Sequence, residues 1–292
     1  ENATAVTTVT ATDADLPAQT LTYSIVGGAD QLLFTIDAST GALSFVSARD
    51  RENATDANAD GIYEVTVQVS DGSLADTQAI SVTVTAVNDN APTITSNGGG
   101  ATASVNVAEN TTAVTTVTST DVDGGTPSYS IIGGADAGRF SIDSSTGTLT
   151  FSTAPDYDAP ADSDGNNVYD VIVQASDGAG GIDTQTLTIT ITPVNDNSPV
   201  ITSNGGGATA AINIAENSTA VTTVAATDAD RPIQTLIYSI AGGADAALFS
   251  IDASTGALSF LAAPNREAPA DANGDHVYLV TVRASDGTLS DT

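Results

Sequence analysis

Cysteine, methionine, tryptophan and lysine do not occur in this 292-residue chain, and histidine occurs once, as His276. Without cysteine no disulfide can staple the fold, and zinc sites built on thiolates are excluded. With no lysine and no thiol, and one histidine placed beside an acidic loop, catalysis that relies on those three groups is not expected. Aromatic residues are few, seven Tyr and six Phe, most of them in the phase of core positions. Exposed ring platforms of the kind that bind sugars are therefore not expected. Basic residues are equally scarce: Arg49, Arg51, Arg139, Arg231, Arg266 and Arg283 stand against 36 acids, for a net charge of -30. That sign argues against nucleic acid, because phosphate binding needs the opposite charge. No apolar run approaches the roughly 18 residues of a membrane span, and with no signal-peptide pattern in this stretch any targeting information is expected to lie elsewhere.

What the chain does contain is repetition. The stretch 87–103, VNDNAPTITSNGGGATA, returns at 194–210 as VNDNSPVITSNGGGATA, 107 residues later (195 minus 88). A near-perfect repeat of that length points to tandem domains, since about 100 residues is the size of one β-sandwich. Pro92 and Pro199 cannot donate to a central ladder and three glycines follow each, so the stretch is expected to be a junction. Domains are expected at 1–91, 92–198 and 199–292, the first lacking its opening strand and the last its closing strand. The 107-residue phase would continue through both ends, so the chain is expected to be a window on a longer array. The alternative is that neighbouring copies complete one another by strand addition.

Within each repeat the pattern is alternation. Tyr169, Val171, Val173 and Ala175 alternate with Asp170, Ile172, Gln174 and Ser176, and Leu187, Ile189 and Ile191 alternate with threonines. A period of two, rich in β-branched residues, predicts half-buried strands. Segments 101–107, 113–120, 126–132, 138–142, 147–152, 167–176 and 183–193 form the set for the middle repeat. Seven short strands and no apolar stripe of helical period predict an all-β chain of tandem seven-stranded Greek-key sandwiches of immunoglobulin-like type. The thrice-repeated hairpin at 33–45 (LFTIDASTGALSF) has Asp37 to bond its own backbone and Gly41 to reverse the chain, with Phe34, Ile36, Leu43 and Phe45 as core.

The acids follow the repeat as well. One set comprises Glu1; Asp50 and Glu52; Asn88, Asp89 and Asn90; Asp121 and Asp123; and Asp177. The second comprises Glu109; Asp156 and Asp158; Asn195, Asp196 and Asn197; Asp228 and Asp230; and Asp286. With its opening Glu, DRE (DYD in the second copy, NRE in the third), NDNxP, DxD and a later Asp before a strand, the chain resembles the cadherin repeat in its bacterial form. The resemblance covers essentially the whole chain and five motifs in order.

It implies calcium between successive domains, three ions per junction, and the charges agree. Seven clustered carboxylates repel unless cations sit among them, and six positive charges nearly neutralise seven negative ones. Oxygen-only ligands suit a hard ion, and a shell of six to eight oxygens suits calcium better than magnesium. The family's linker usually carries an acid two residues before NDN, where this chain has Ala86 and Pro193; one ion per junction should be weak or missing. A second candidate is the loop Asp56, Asn58, Asp60, repeated as Asp162, Asp164, Asn166 and as Asp271, Asn273, Asp275. It resembles the start of a calcium loop without its terminal bidentate Glu, and equally a polar turn tip.

Paired carboxylates could serve a glycosidase, but acids repeated at every junction belong to a scaffold rather than an active site. The expected function is non-enzymatic: a calcium-stiffened extracellular stalk segment of a bacterial surface or secreted adhesin or filament. The alternative is a calcium-dependent module for polysaccharide or homophilic cell–cell adhesion. Expected partners are calcium ions and further copies of the repeat, with no nucleic acid.

Overall fold

The computed structural model describes all 292 residues, and the chain is entirely strand, turn and loop apart from five single 3-10 turns. No helix is long and apolar enough to cross a membrane. Two compact bodies are resolved: Glu1–Gly99 with Thr118–Tyr129 and Gln174–Thr184, and Gly100–Val117 with Ser130–Val173 and Gln185–Thr292.

In the first body, Ala5–Thr8, Ala42–Phe45 and Phe34–Ile36 form one antiparallel sheet in that order. Thr22–Gly27, Ile62–Ser70 and Ala75–Thr83 form another. Alternation decides which side chains meet: Tyr63, Val65 and Val67 point inward from one sheet onto Phe34, Leu43 and Phe45 of the other. The ring of Phe45 lies 5.1 Å from that of Tyr63, edge to face, a favoured aromatic geometry. Over both rings sits the buried guanidinium of Arg49, 5.2 Å and 5.8 Å from their centres.

The second body repeats the scheme. Phe249, Leu258 and Phe260 close the core of the third repeat against Val280, Val282 and Tyr278, with Phe260 and Tyr278 rings 5.0 Å apart. In the middle repeat Leu149, Val171, Val173, Leu187 and Ile189 are buried, the inward set the alternation predicts. Thr186–Thr192 pairs in parallel with Thr102–Ala108, so the opening and closing strands of a repeat lie side by side. This is the expected sandwich, and six of the seven predicted segments return as single strands within a few residues. The segment 113–120 divides at Val117 into Ala113–Thr116 and Ser119–Thr120, which pair in different sheets.

The hairpin turns are built as the sequence suggests. Asp37 Oδ1 accepts from Ser39 N (2.9 Å), Ser39 Oγ (2.7 Å) and Thr40 N (2.8 Å). Gly41 takes φ 73°, and a Cβ there would run into the carbonyl of Val9. His276 is exposed at φ 66°, at the place where the other repeats have Gly61 and Asn167.

Candidate metal centres

In the first body a short ladder carries the linker. Thr93–Ile94 pairs with Ser119–Thr120, so the NDN residues just before one strand and the DVD residues just after the other are delivered to one place. Glu1 anchors the cluster: its Oε2 accepts from Arg51 N and its Oε1 from Val87 N, both at 2.6 Å. These two backbone donors hold its carboxyl below the usual range. Potential ligand oxygens of Glu1, Asp50 and Glu52 lie within 4.8 Å of one another, as do those of Glu52, Asp89 and Asp123. Glu52 thus bridges the two triplets, and burial together with the charges of Glu1 and Asp123 pushes its carboxyl up. Although burial works against it, Asp123 stays below the usual range because Asn90 and Asp89 donate to it. Asp50 accepts from Glu52 N and Asn53 N. Asp177 Oδ1 accepts from three successive amides of its turn. Asn88 is exposed in the linker.

The second body holds the equivalent arrangement, deeper. Glu109, 2% exposed, accepts from Tyr157 N (2.6 Å) and Val194 N (2.7 Å). Glu109, Asp156 and Asp158 converge, and so do Asp158, Asp196 and Asp230. Asp230 is fully buried and takes Asn197 N and Nδ2 on Oδ1. Burial, then the charges of Glu109, Asp230 and Asp156, raises Asp158. Asn110 and Asn2, which follow the opening glutamates, donate to Asp196 and Asp89.

Several oxygens in these clusters have no donor. Asp121 Oδ2, Asp228 Oδ2 and Glu52 Oε2 are buried without a hydrogen-bond partner, a costly state unless a cation faces them. The side-chain amide of Asn195, turned with its Nδ2 toward the cluster, donates to both Asp230 Oδ2 and Asp286 Oδ2 at 3.1 Å. The donor set is oxygen throughout, which fits calcium.

The loop at Asp56, Asn58 and Asp60 is a different object. Asp56, nearly buried, accepts from Asp60 N (2.8 Å) and Gly61 N (3.2 Å). Asp60 accepts from Ile62 N and Asn58 Nδ2. Asp162, Asp164 and Asn166 close on themselves in the same way, and so do Asp271, Asn273 and Asp275, except that Asp271 Oδ1 is buried without a hydrogen-bond partner. These oxygens are largely spent on the turn. One link to the cluster exists: Asp60 lines an open cavity of about 600 Å³ together with Arg51, Glu52, Ala86 and Asp123.

A group absent from the sequence-based set is Asp13, Asp15 and Asp71, whose oxygens also lie within 4.8 Å of one another, with Asp13 Oδ2 buried and unpartnered. The signal was present, since TDAD at 12–15 copies TDVD at 120–123 and TDAD at 227–230. In the third repeat Glu216 accepts from Arg266 N, as Glu1 does from Arg51.

The profile of the cadherin domain matches residues 1–86, 103–192 and 210–292. Human Protocadherin Fat 1 is 31% identical over 294 residues, covering 97% of this chain and 6% of its own length. Human Protocadherin Fat 4 is 30% identical over 261 residues, covering 89% and 5%. The chain therefore spans about a twentieth of these relatives. Among solved structures, human CDH23 EC21-23 superimposes with a TM-score of 0.64 at 22% identity, over 94% of this chain and 88% of that one. These relatives are animal proteins, and the bacterial form expected from the sequence finds no support among them.

Proposed function

We infer that this chain, which belongs to the cadherin family and carries three of its domains in tandem, is a calcium-stiffened segment of a long extracellular adhesin or filament. Cadherin repeats are extracellular, non-enzymatic adhesion modules that depend on calcium, and the acidic clusters are consistent with that. The reading divides the chain at 1–91, 92–198 and 199–292. Its ligands are Glu1, Asp50, Glu52, Asn88, Asp89, Asn90, Asp121, Asp123 and Asp177 at one centre, and Glu109, Asp156, Asp158, Asn195, Asp196, Asn197, Asp228, Asp230 and Asp286 at the other. When bound, calcium would supply positive charge and a fixed coordination shell. The protein supplies orientation, through the backbone amides that aim Glu1, Glu109 and Asp123.

The observation that carries the reading is the recurrence of a buried, unpartnered carboxylate oxygen at the same motif position in both centres, Asp121 Oδ2 and Asp228 Oδ2, with Glu52 Oε2 as a further one in the first. Mutual repulsion explains why the joint would loosen without the ion. The bacterial setting belongs to this proposal on the sequence alone. Carbohydrate recognition has no observation in its favour, because no Phe or Tyr is exposed. Small-angle scattering with and without chelator tests the stiffening: the distribution of distances should broaden on chelation, and an unchanged maximum dimension would overturn it.

A further inference from the structure

Each centre includes a hydrogen bond that no ligand motif accounts for. In the ladder Thr93–Ile94 with Ser119–Thr120, successive amides face opposite edges. Thr95 N bonds back to Thr118 O, while Ile94 N faces the edge that has no strand. There Asp183 Oδ2 accepts it at 2.8 Å, and Asp183 Oδ1 accepts from Thr184 N at 2.7 Å. The second centre repeats this: Asp291 Oδ2 accepts from Ile201 N at 2.8 Å and Oδ1 from Thr292 N at 2.7 Å. Ile94 is 1% exposed, so its amide has no water to turn to. The turn between Asp177 and Asp183 also presses on the linker, for a Cβ at Gly181 would lie 2.8 Å from the Cα of Ala91.

The ladder joins the NDN segment to the DVD segment, and the Asp183 bond joins the NDN segment to the turn that carries Asp177. Three ligand-bearing segments are thereby fixed to one another a few residues from their ligands. We propose that Asp183 and Asp291 are positioning residues for the metal centres: each locks the linker strand so that the Asn and Asp ligands ahead of it converge. The inference rests on the calcium reading above. Outer partners that orient ligands typically change metal affinity by about 10–100-fold.

The test uses the full chain with Asp183→Ala and Asp183→Asn, leaving Asp291 and the second centre as an internal reference. Two measurements are made: calorimetric titration with calcium, and hydrogen exchange at the Ile94 amide in chelator. Asp183→Ala should weaken the first centre by roughly tenfold, spare the second, and unprotect Ile94. Asp183→Asn keeps an acceptor oxygen and should restore both affinity and protection. Loss in both variants would make Asp183 a charge contributor to the ions and overturn positioning. Unchanged binding in Asp183→Ala beside normal wild-type binding would overturn the inference alone, whereas a wild type that binds no calcium would overturn the underlying reading as well.

Discussion

At the scale of single residues, two buried acids of similar exposure do opposite work. Glu109 spends its lone pairs on Tyr157 N and Val194 N yet stands in a triplet with Asp156 and Asp158. Asp162 spends its own on Asn166 N and Asn167 N inside one turn. Glu109→Ala should therefore cut calcium affinity at the second centre by roughly tenfold or more, read by titration. Asp162→Ala should leave that affinity unchanged and lower stability by about 1–2 kcal/mol, the loss of its turn bonds, read by chemical denaturation. The motif residues of both centres were legible in the sequence because the repeat aligned them. Asp183 and Asp291 lie in a DT pair that recurs at 76–77, 183–184 and 291–292, but their role was not legible, because only folding sets Asp183 against an amide 89 residues away. Nor could the sequence show that Arg49 lies buried over Phe45 and Tyr63, where Pro155 and Pro264 take its place in the other repeats.

At the scale of elements, the hairpin turn is the clearest unit. Asp37, Asp143 and Asp252 each accept from a Ser and a Thr amide and a Ser hydroxyl. The Ser hydroxyl leads for Asp37 and Asp143, and the Thr255 amide for Asp252, which is lowered to about 2; all three sit well below the ordinary value. A carboxyl depressed in the folded state contributes stability that is present above its unfolded pKa, near 4, and is lost as pH falls toward the folded one. Melting temperature should thus drop between about pH 4 and 2. Replacing all three by Asn, which keeps the acceptor but cannot titrate, should flatten that slope in a circular-dichroism series. A slope unchanged by the triple substitution would assign acid sensitivity to other carboxylates. Alternation made the strands legible in the sequence, whereas the division of 113–120 was not, because periodicity from Ala113 to Thr120 is silent about which neighbour each half pairs with. Val117, fully buried, marks the point where the chain changes sheet.

At the scale of the whole molecule, the question is whether calcium acts as a ligand or merely as positive charge. A chain of net charge -30 is destabilised by its own repulsion, and any salt relieves part of it; at 0.1 M the screening length is about 10 Å. Screening supplies no partner for Asp121 Oδ2 and Asp228 Oδ2, which are buried without a hydrogen bond. Calcium at about a hundredfold excess over a dissociation constant in the extracellular range should add about 2.7 kcal/mol per site. For a domain of this size that is a rise of roughly 10–20 °C in melting temperature. Sodium chloride at matched ionic strength should give only a small part of that rise. Magnesium, which demands a smaller and more regular octahedral shell and sheds water reluctantly, should fall well short of calcium. Scanning calorimetry in the three salts decides between the two accounts: a clear order of calcium over magnesium over sodium requires ordered oxygen sites, and equal rises at equal ionic strength would reduce the centres to an acidic surface.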